Sequence, residues 1–228
     1  MRDLPLPTLP MADLSSHLSA ESRAARRSLH PRSAPEASTR PGIEVVWART
    51  AQDVLAAQRL RYEVFAVEMG ARLSVPVGSP AGHDIDLFDP YCEHLLVRLD
   101  TGTDEPGQVI GTYRVLTPES AKRIGGLYSE TEFDLTRLRP LRGKMVELGR
   151  SCVHPDHRNG GAIMALWGAL AEFMVRNDLD TMIGCASISM RDGGASPATQ
   201  MGHQRLTDMA PFDLHVRPRG PRPVDGRD

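Results

Sequence analysis

The chain is 228 residues long, 40% hydrophobic, and has a formal net charge of -2. That length supports one core of ordinary size, and the near-balanced charge excludes a protein built on general attraction to nucleic acid. No apolar run approaches the ~18 residues of a membrane span, and the opening MRDLPLPTLP has prolines and an acid where a signal peptide is apolar, so a cytoplasmic protein is expected.

Residues 1–42 are rich in Pro, Ser, Ala and Arg with little apolar periodicity. Such a segment cannot bury enough surface to offset its ordering entropy, which predicts a disordered tail. Within it SSHLSAESRAARRSLH has the pattern of a short basic helix, with Arg23, Arg26 and Arg27 forming either a solvated face or a contact to anionic lipid. The folded domain is predicted over 43–216. IEVVWA reads as a strand, and AQDVLAAQRLRYEVFAVEMG as one helix with Ala57, Leu60, Val64 and Val67 at helical spacing. A long loop covers 70–90. CEHLLVRL and QVIGTYRVL read as a strand pair joined by the polar turn TGTDEPG.

The polar section 118–144 holds short helical pieces, and Ser129 with Glu132, like Thr131 with Asp134, has capping-box spacing. MVELGRSCV is a strand, 162–177 a helix, and TMIGCASI a strand. A last helix is predicted at 196–209 and a last short strand at FDLHV, with 217–228 a disordered basic tail. No internal repeat is present. The order is an α/β pattern with one βαβ unit near the end. Cys92, Cys152 and Cys185 have neither pairing nor metal spacing and read as packed thiols in a reducing compartment.

The stretch ELGRSCVHPDHRNGGAIM (147–164) carries the most chemistry. Strand neighbours alternate faces, so Glu147 and Arg150 serve one pocket only if the strand changes phase between them. A β-bulge near Leu148–Gly149 would do that and would free a backbone N–H for an oxyanion. The turn HRNGGA then opens a helix whose N-terminus attracts phosphate. An ion pair at the strand edge followed by an ordinary turn is the reading that the spacing alone favours.

Asp84, Asp86 and Asp89 share one loop. They suit a clamp for a cationic amino acid or caps within the loop; a metal site would need more oxygen ligands, and no metal is expected. Arg61 and Phe65 share a helix face, where Phe65 is core and a buried Arg61 demands a carboxylate from Asp86, Asp89 or Glu147. Arg114, in an apolar strand, makes the same demand, while His94 reads as structural. Glu147 is the candidate general base for an amine. No Ser/His/Asp or Cys nucleophile arrangement stands out, which favours direct attack over a covalent enzyme intermediate.

The strand, glycine turn and helix resemble the acyl-carrier-binding core of the GNAT acyltransferase superfamily, whose pattern Gln/Arg-x-x-Gly-x-Gly/Ala falls on His157 to Ala162 with His in the first position. RYEVFAVEMG, DIDLFDPYCEHLLV, VIGTYRVL and ELGRSCVHP follow the order seen in acyl-homoserine-lactone synthases. Arg61, Phe65, Asp86, Asp89, Arg114, Glu147 and Arg150 stand at that family's motif positions. GTYRVL, YSETEFDL, ELGRSCVHPDHR, MALWGALAEFM and IGCASI with MRDGG together make the chain more similar to the L-ornithine N-acyltransferases of ornithine-lipid synthesis, over roughly 45–218.

The resemblance implies a GNAT-like fold, a mixed central sheet flanked by helices. It implies transfer of a 3-hydroxyacyl chain from acyl carrier protein to the α-amine of L-ornithine, giving lyso-ornithine lipid. Glu147 and Arg150 are then catalytic; Arg61, Phe65, Asp86, Asp89 and Arg114 bind substrate; Arg158, Gly160, Gly161 and Ala162 bind the acyl carrier. No cofactor is implied beyond the acyl-phosphopantetheine thioester as co-substrate, and the product suggests work beside the inner membrane. Arg137, Arg139, Arg142 and Lys144 form either a carrier-docking surface or a solvated basic face. Family members continue past the HVRPR segment, whereas this chain stops at Asp228. A lactone synthase or other amine acylase, and a truncated inactive acyl-binding protein, are the alternatives.

Overall fold

The computed structural model describes residues 42–103, 105–187 and 195–220. The basic helix expected in the N-terminal tail, the MRDGG segment and most of the expected C-terminal tail lie outside the described residues.

Strand β1 (Ile43–Trp47) leads to helix α1 (Ala51–Tyr62). A reciprocal cap starts α1: Thr50 Oγ1 accepts from Asp53 N at 3.2 Å, and Asp53 Oδ2 accepts from Thr50 N at 3.0 Å. Asp53 also pairs with Arg98, tying the helix start to the sheet. Burial opposes its charge, but the N–H of Arg49, the Arg98 guanidinium and Thr50 outweigh that and hold the carboxyl down at about 2. The predicted single helix widens into a π-helical turn, Glu63–Glu68, with Met69 N donating to Val64 O at 3.1 Å. The wider turn brings the neighbours Val64 and Phe65 both inward and leaves Val67, expected on the core face, 68% exposed.

Strands β2 (Glu93–Leu99) and β3 (Val109–Leu116), helix α2 (Pro118–Ile124), strand β4 (Phe133–Asp134) and strand β5 (Met145–Val153) follow. Then come α3 (Gly161–Arg176), β6 (Thr181–Ile183), α4 (Ala195–Thr207) and β7 (Arg217–Pro218). The main sheet runs β1-β2-β3-β5-β6, antiparallel except for the parallel β5–β6 pair that α3 joins. It is the mixed sheet expected, with a helix on each face. Ala162, Leu166, Leu170 and Met174 recur every fourth residue on α3 and pack on Leu95, Val97, Val115, Val146 and Leu148. Each such large side chain contributes about 1.5–3 kcal/mol by leaving water. On the opposite face Ala57, Leu60, Val64 and Phe65 meet Leu96, Val109 and Cys152.

TMIGCASI forms ladder only over Thr181–Ile183, whose last pair is Glu147 with Ile183. Neither expected capping box forms. Glu130 takes the Leu127 N–H, Asp134 takes the Thr136 N–H, and the Ser129 hydroxyl turns to Glu147. FDLHV is a 3-10 turn at Phe212–Leu214 rather than a strand. The strand falls one step later, where Arg217–Pro218 pairs with Phe133–Asp134, and Arg219 donates from N to Glu132 O and from Nε to Glu130 O, both at 2.8 Å. Ordered backbone therefore passes the predicted boundary at 216.

Candidate active site

Strand β5 changes phase in its middle. Arg114 of β3 stands opposite Gly149 and Thr112 opposite Cys152, so Arg150 and Ser151 together face Tyr113. This is a β-bulge, placed at Arg150–Ser151 instead of the expected Leu148–Gly149. Gly149 stays in the ladder opposite Arg114, where a Cβ would meet the guanidinium only in ordinary contact, 3.9 Å from Nη2. The turn is made by Arg150, at φ 53, a left-handed conformation that a non-glycine residue adopts only when held. As a result Glu147 and Arg150 both act on the α1 face.

What holds Arg150 is a buried cluster of three arginines and three aspartates. Arg61, with 0% exposure, donates Nε to Asp84 at 3.1 Å and Nη1 and Nη2 to Asp89 at 3.0 and 2.7 Å, and also bonds the Asp84 carbonyl. Arg114 Nη1 reaches Asp86 at 2.6 Å and Asp89 at 3.0 Å. Arg150 lies 3.3 Å from both Asp84 and Asp86. Burial works against the charges of Asp86 and Asp89, but the facing arginines outweigh it and hold both carboxyls below the usual range. Of the acids expected for Arg61 only Asp89 pairs with it, and Asp84, which was not among them, is its second partner; Asp89 is turned inward with both oxygens engaged and cannot clamp a substrate amine. Phe65 is also inward, 1% exposed in the core between α1 and the sheet. His94 is structural: its Nε2 meets the Asp89 carbonyl at 3.1 Å.

Glu147 is 5% exposed and is held by one turn, Tyr128–Thr131. Its Oε2 accepts from Tyr128 N at 2.6 Å. Its Oε1 accepts from Ser129 N at 2.6 Å and from the Ser129 hydroxyl, which in turn accepts from the Cys185 thiol at 3.2 Å. A carboxylate offers about four acceptor sites, so three donors leave one on Oε2. Glu147 borders a small cavity of about 20 Å³ with Cys92, Arg114, Tyr128 and Gly149. Burial pushes the Cys92 and Cys152 thiols up to about 12 and also raises Cys185, so none is a ready thiolate. Tyr128 carries no periodic or spacing signal, and the capping-box spacing of Ser129 pointed to Glu132 rather than Glu147; only the recurrence of YSETEFDL marked the two together.

A cavity of about 620 Å³ opens beside this pocket, walled by 71–76, Asp86–Leu87–Phe88, Tyr128, Thr131, Glu132 and Arg150. Phe88 and Tyr128, edge-to-face with ring centroids 5.9 Å apart, belong to both cavities and form the wall between them. Of the predicted substrate residues, Asp86 and the catalytic candidate Arg150 line this cavity; Arg61, Phe65, Asp89 and Arg114 support it from behind.

The phosphate-seat candidates lie at the far end of β5. Gly160, at φ 93, turns the chain into α3, and Asn159 Oδ1 accepts from Gly161 N at 3.2 Å. Ala162 is core. Arg158 is not aimed at the helix start: it grips Glu68 with two bonds of 2.6 and 2.7 Å and donates Nε to the Val153 carbonyl. In the basic run, Arg137 bonds the Phe212 carbonyl, Arg142 pairs with Glu130, and Lys144 pairs with Asp178, leaving Arg139 exposed without an ion pair among the described residues. No group of His, Cys, Asp and Glu fit to hold a metal occurs among the described residues, and no helix there is long and apolar enough to cross a membrane.

The Acetyltransferase (GNAT) domain family matches residues 60–168. Over 183 residues the chain is 39% identical to an L-ornithine N(alpha)-acyltransferase of Rhodobacter capsulatus, covering 77% of this chain and 68% of that protein. It is 40% identical to proteins of the same name from Brucella abortus, over 68% of this chain and 55% of that one, and from Rhizobium meliloti, over 64% and 50%. The chain therefore spans about half the length of these last two relatives. The AHL synthase LasI aligns at 21% identity and a TM-score of 0.45, over 63% of this chain and 72% of that one.

Proposed function

The chain belongs to the L-ornithine N(alpha)-acyltransferase family with a GNAT-type fold, and from that premise we propose that it moves an acyl group from a carrier thioester to the α-amine of L-ornithine. The observation that carries the reading is Glu147, fixed by three donors with one acceptor site left, beside a cavity large enough for a small substrate.

In this reading the substrate ammonium loses its proton before nitrogen attacks the thioester carbon. The small cavity of about 20 Å³ has room for one water. Such a water would carry the proton past the Phe88–Tyr128 wall to Oε2 of Glu147. The tetrahedral intermediate then collapses, the C–S bond breaks, and the carrier thiolate takes a proton. Arg150, locked by Asp84 and Asp86, keeps the bulge and its side of the cavity rigid. The β5–β6 ladder ends at Glu147 and Ile183, and a pantetheine arm could pair its amides with backbone beyond that point. Its phosphate would sit at the N-terminus of α3, at Gly160 to Ala162, where it would take the place of Asn159 Oδ1 on the Gly161 N–H. Val75 and Leu87, exposed at the cavity wall, suit the apolar chain of the donor and product. Acyl carrier protein as donor and lyso-ornithine lipid as product complete the proposal.

The test is turnover of 3-hydroxyacyl-carrier thioester with L-ornithine, followed by mass spectrometry. Glu147→Gln keeps the shape and removes the base, so kcat should fall by ~10²–10⁴ with thioester binding intact. Near-normal turnover by that variant would remove Glu147 from the mechanism. Absence of any acyl-ornithine from the unaltered chain would remove the reaction.

A further inference from the structure

We infer that Glu132 and Arg72 form the pair that selects a dibasic amino acid, Glu132 receiving the side-chain ammonium and Arg72 the carboxylate; this rests on the acyl-transfer reading above. Four charged side chains wall the large cavity: Arg72, Asp86, Glu132 and Arg150. Asp86 and Arg150 neutralise each other inside the buried cluster, and Asp86 is bonded to Arg114 as well. Their charges are already answered. Arg72 and Glu132 differ. Among the described residues neither side chain makes an ion pair or a hydrogen bond, and they do not pair with each other. Glu132 is held only by its backbone, which donates N–H to Ser129 O and accepts from Arg219 N. Its carboxylate is therefore placed by a fixed turn and left unanswered.

One cation and one anion left open in the same concavity suit a ligand carrying both charges. An α-amino acid supplies the carboxylate. Its α-ammonium cannot be the group that Glu132 holds, because that nitrogen must be released to attack the thioester. A second amine on the side chain answers Glu132, and the acids first expected in that role are engaged elsewhere: Asp89 is saturated and Asp86 is paired with arginine. Neutral amino acids of the same length would leave Glu132 unanswered, and diamines without a carboxylate would leave Arg72 unanswered. Both charges are near solvent, so each contributes a modest factor rather than an absolute barrier.

The experiment is calorimetric titration of the full chain with L-ornithine, with 2-aminopentanoate (the same skeleton without the terminal amine) and with 1,4-diaminobutane (no carboxylate). The unaltered chain should bind ornithine about three- to fivefold tighter than either analogue. Glu132→Gln should bring ornithine down to the aminopentanoate value and leave aminopentanoate unchanged. Arg72→Gln should bring ornithine down to the diaminobutane value instead. An ornithine-to-aminopentanoate ratio that survives Glu132→Gln overturns the assignment, and so does a chain that binds all three ligands equally. The acyl-transfer reading is scored separately by product formation. Ornithine acylation with an unmoved ratio sinks the pair alone, whereas the predicted ratio changes without any acylation uphold the pair and sink the reaction.

Discussion

The two faces of β5 use neighbouring residues for opposite purposes. Toward α3 the strand presents Val146 and Leu148 to hydrocarbon, packed on Leu166, Leu170 and Met174. Toward α1 it presents Glu147 and Arg150 to hydrogen bonds and ion pairs, with Arg61, Arg114 and three aspartates behind them. The apolar face tolerates any close packing of the right volume. The ionic face tolerates nothing that leaves one partner alone, because a buried charge without a counter-charge is costly. The contrast teaches that stability and site geometry are carried on different sides of a single strand, and that the two sides should answer pH differently.

The largest effect should come from breaking the ionic face. Arg61→Ala leaves Asp84 and Asp89 buried without their main partner and should cost about 3–5 kcal/mol in chemical denaturation at neutral pH. Leu166→Ala, on the apolar face, should cost a similar 2–5 kcal/mol or so. Acid separates them. In the unaltered chain Asp86 and Asp89 sit below their ordinary 3.8 in the folded state, so the stability they supply is present above 3.8 and lost as pH falls further. In Arg61→Ala the stranded acids can neutralise themselves by taking protons. Its deficit relative to the unaltered chain should shrink from about pH 7 to about pH 4, while that of Leu166→Ala stays constant. Parallel deficits for the two variants would show that the cluster is not acting through charge.

A smaller effect should follow from loosening Glu147 without removing it. Ser129→Ala deletes the hydroxyl bond but keeps both backbone N–H donors. Hydrogen bonds to charged groups are worth about 1.5–3 kcal/mol, so kcat should fall about tenfold to a hundredfold, less than for Glu147→Gln and with ornithine KM unchanged. Ser129→Thr keeps the hydroxyl and should recover most of the loss. Equal kcat in the Ala and Thr variants would remove the hydroxyl from the argument.

The mildest test concerns His94, cross-strand from Arg114. Burial holds its imidazole below the ordinary 6.5, outweighing the bond to the Asp89 carbonyl and the Asp89 charge, while Arg61 and Arg114 push the same way as burial. The unfolded chain therefore binds a proton at His94 that the folded chain refuses, and stability falls as pH drops through 6.5. A His94→Asn variant should lose less stability than the unaltered chain between about pH 7.5 and 5.5. Identical slopes would mean that His94 is protonated in both states or in neither.

Local pattern was enough to mark most elements. MVELGRSCV is β5 to the residue, and the helix expected at 162–177 is α3 within one residue at each end. The motif order also pointed to the acyltransferase family, since those segments recur as strings. Pattern could not say that Asp89 turns inward, because its partners Arg61 and Arg114 are 28 and 25 residues away along the chain. Nor could it place the bulge at Arg150, which shows only in the register of β5 against β3 and in the ion pairs of Arg150 with Asp84 and Asp86. The π-helical widening that exposes Val67, and the end of β6 at Ile183, also carried no local signal. Residue order alone was enough to say which residue types alternate, cap and pack, because those preferences act between near neighbours. Which acids are consumed by arginines, and which one is left open in the cavity, was decided only when distant segments met, because a charge is satisfied by whatever lies within a few ångströms in space and not along the chain.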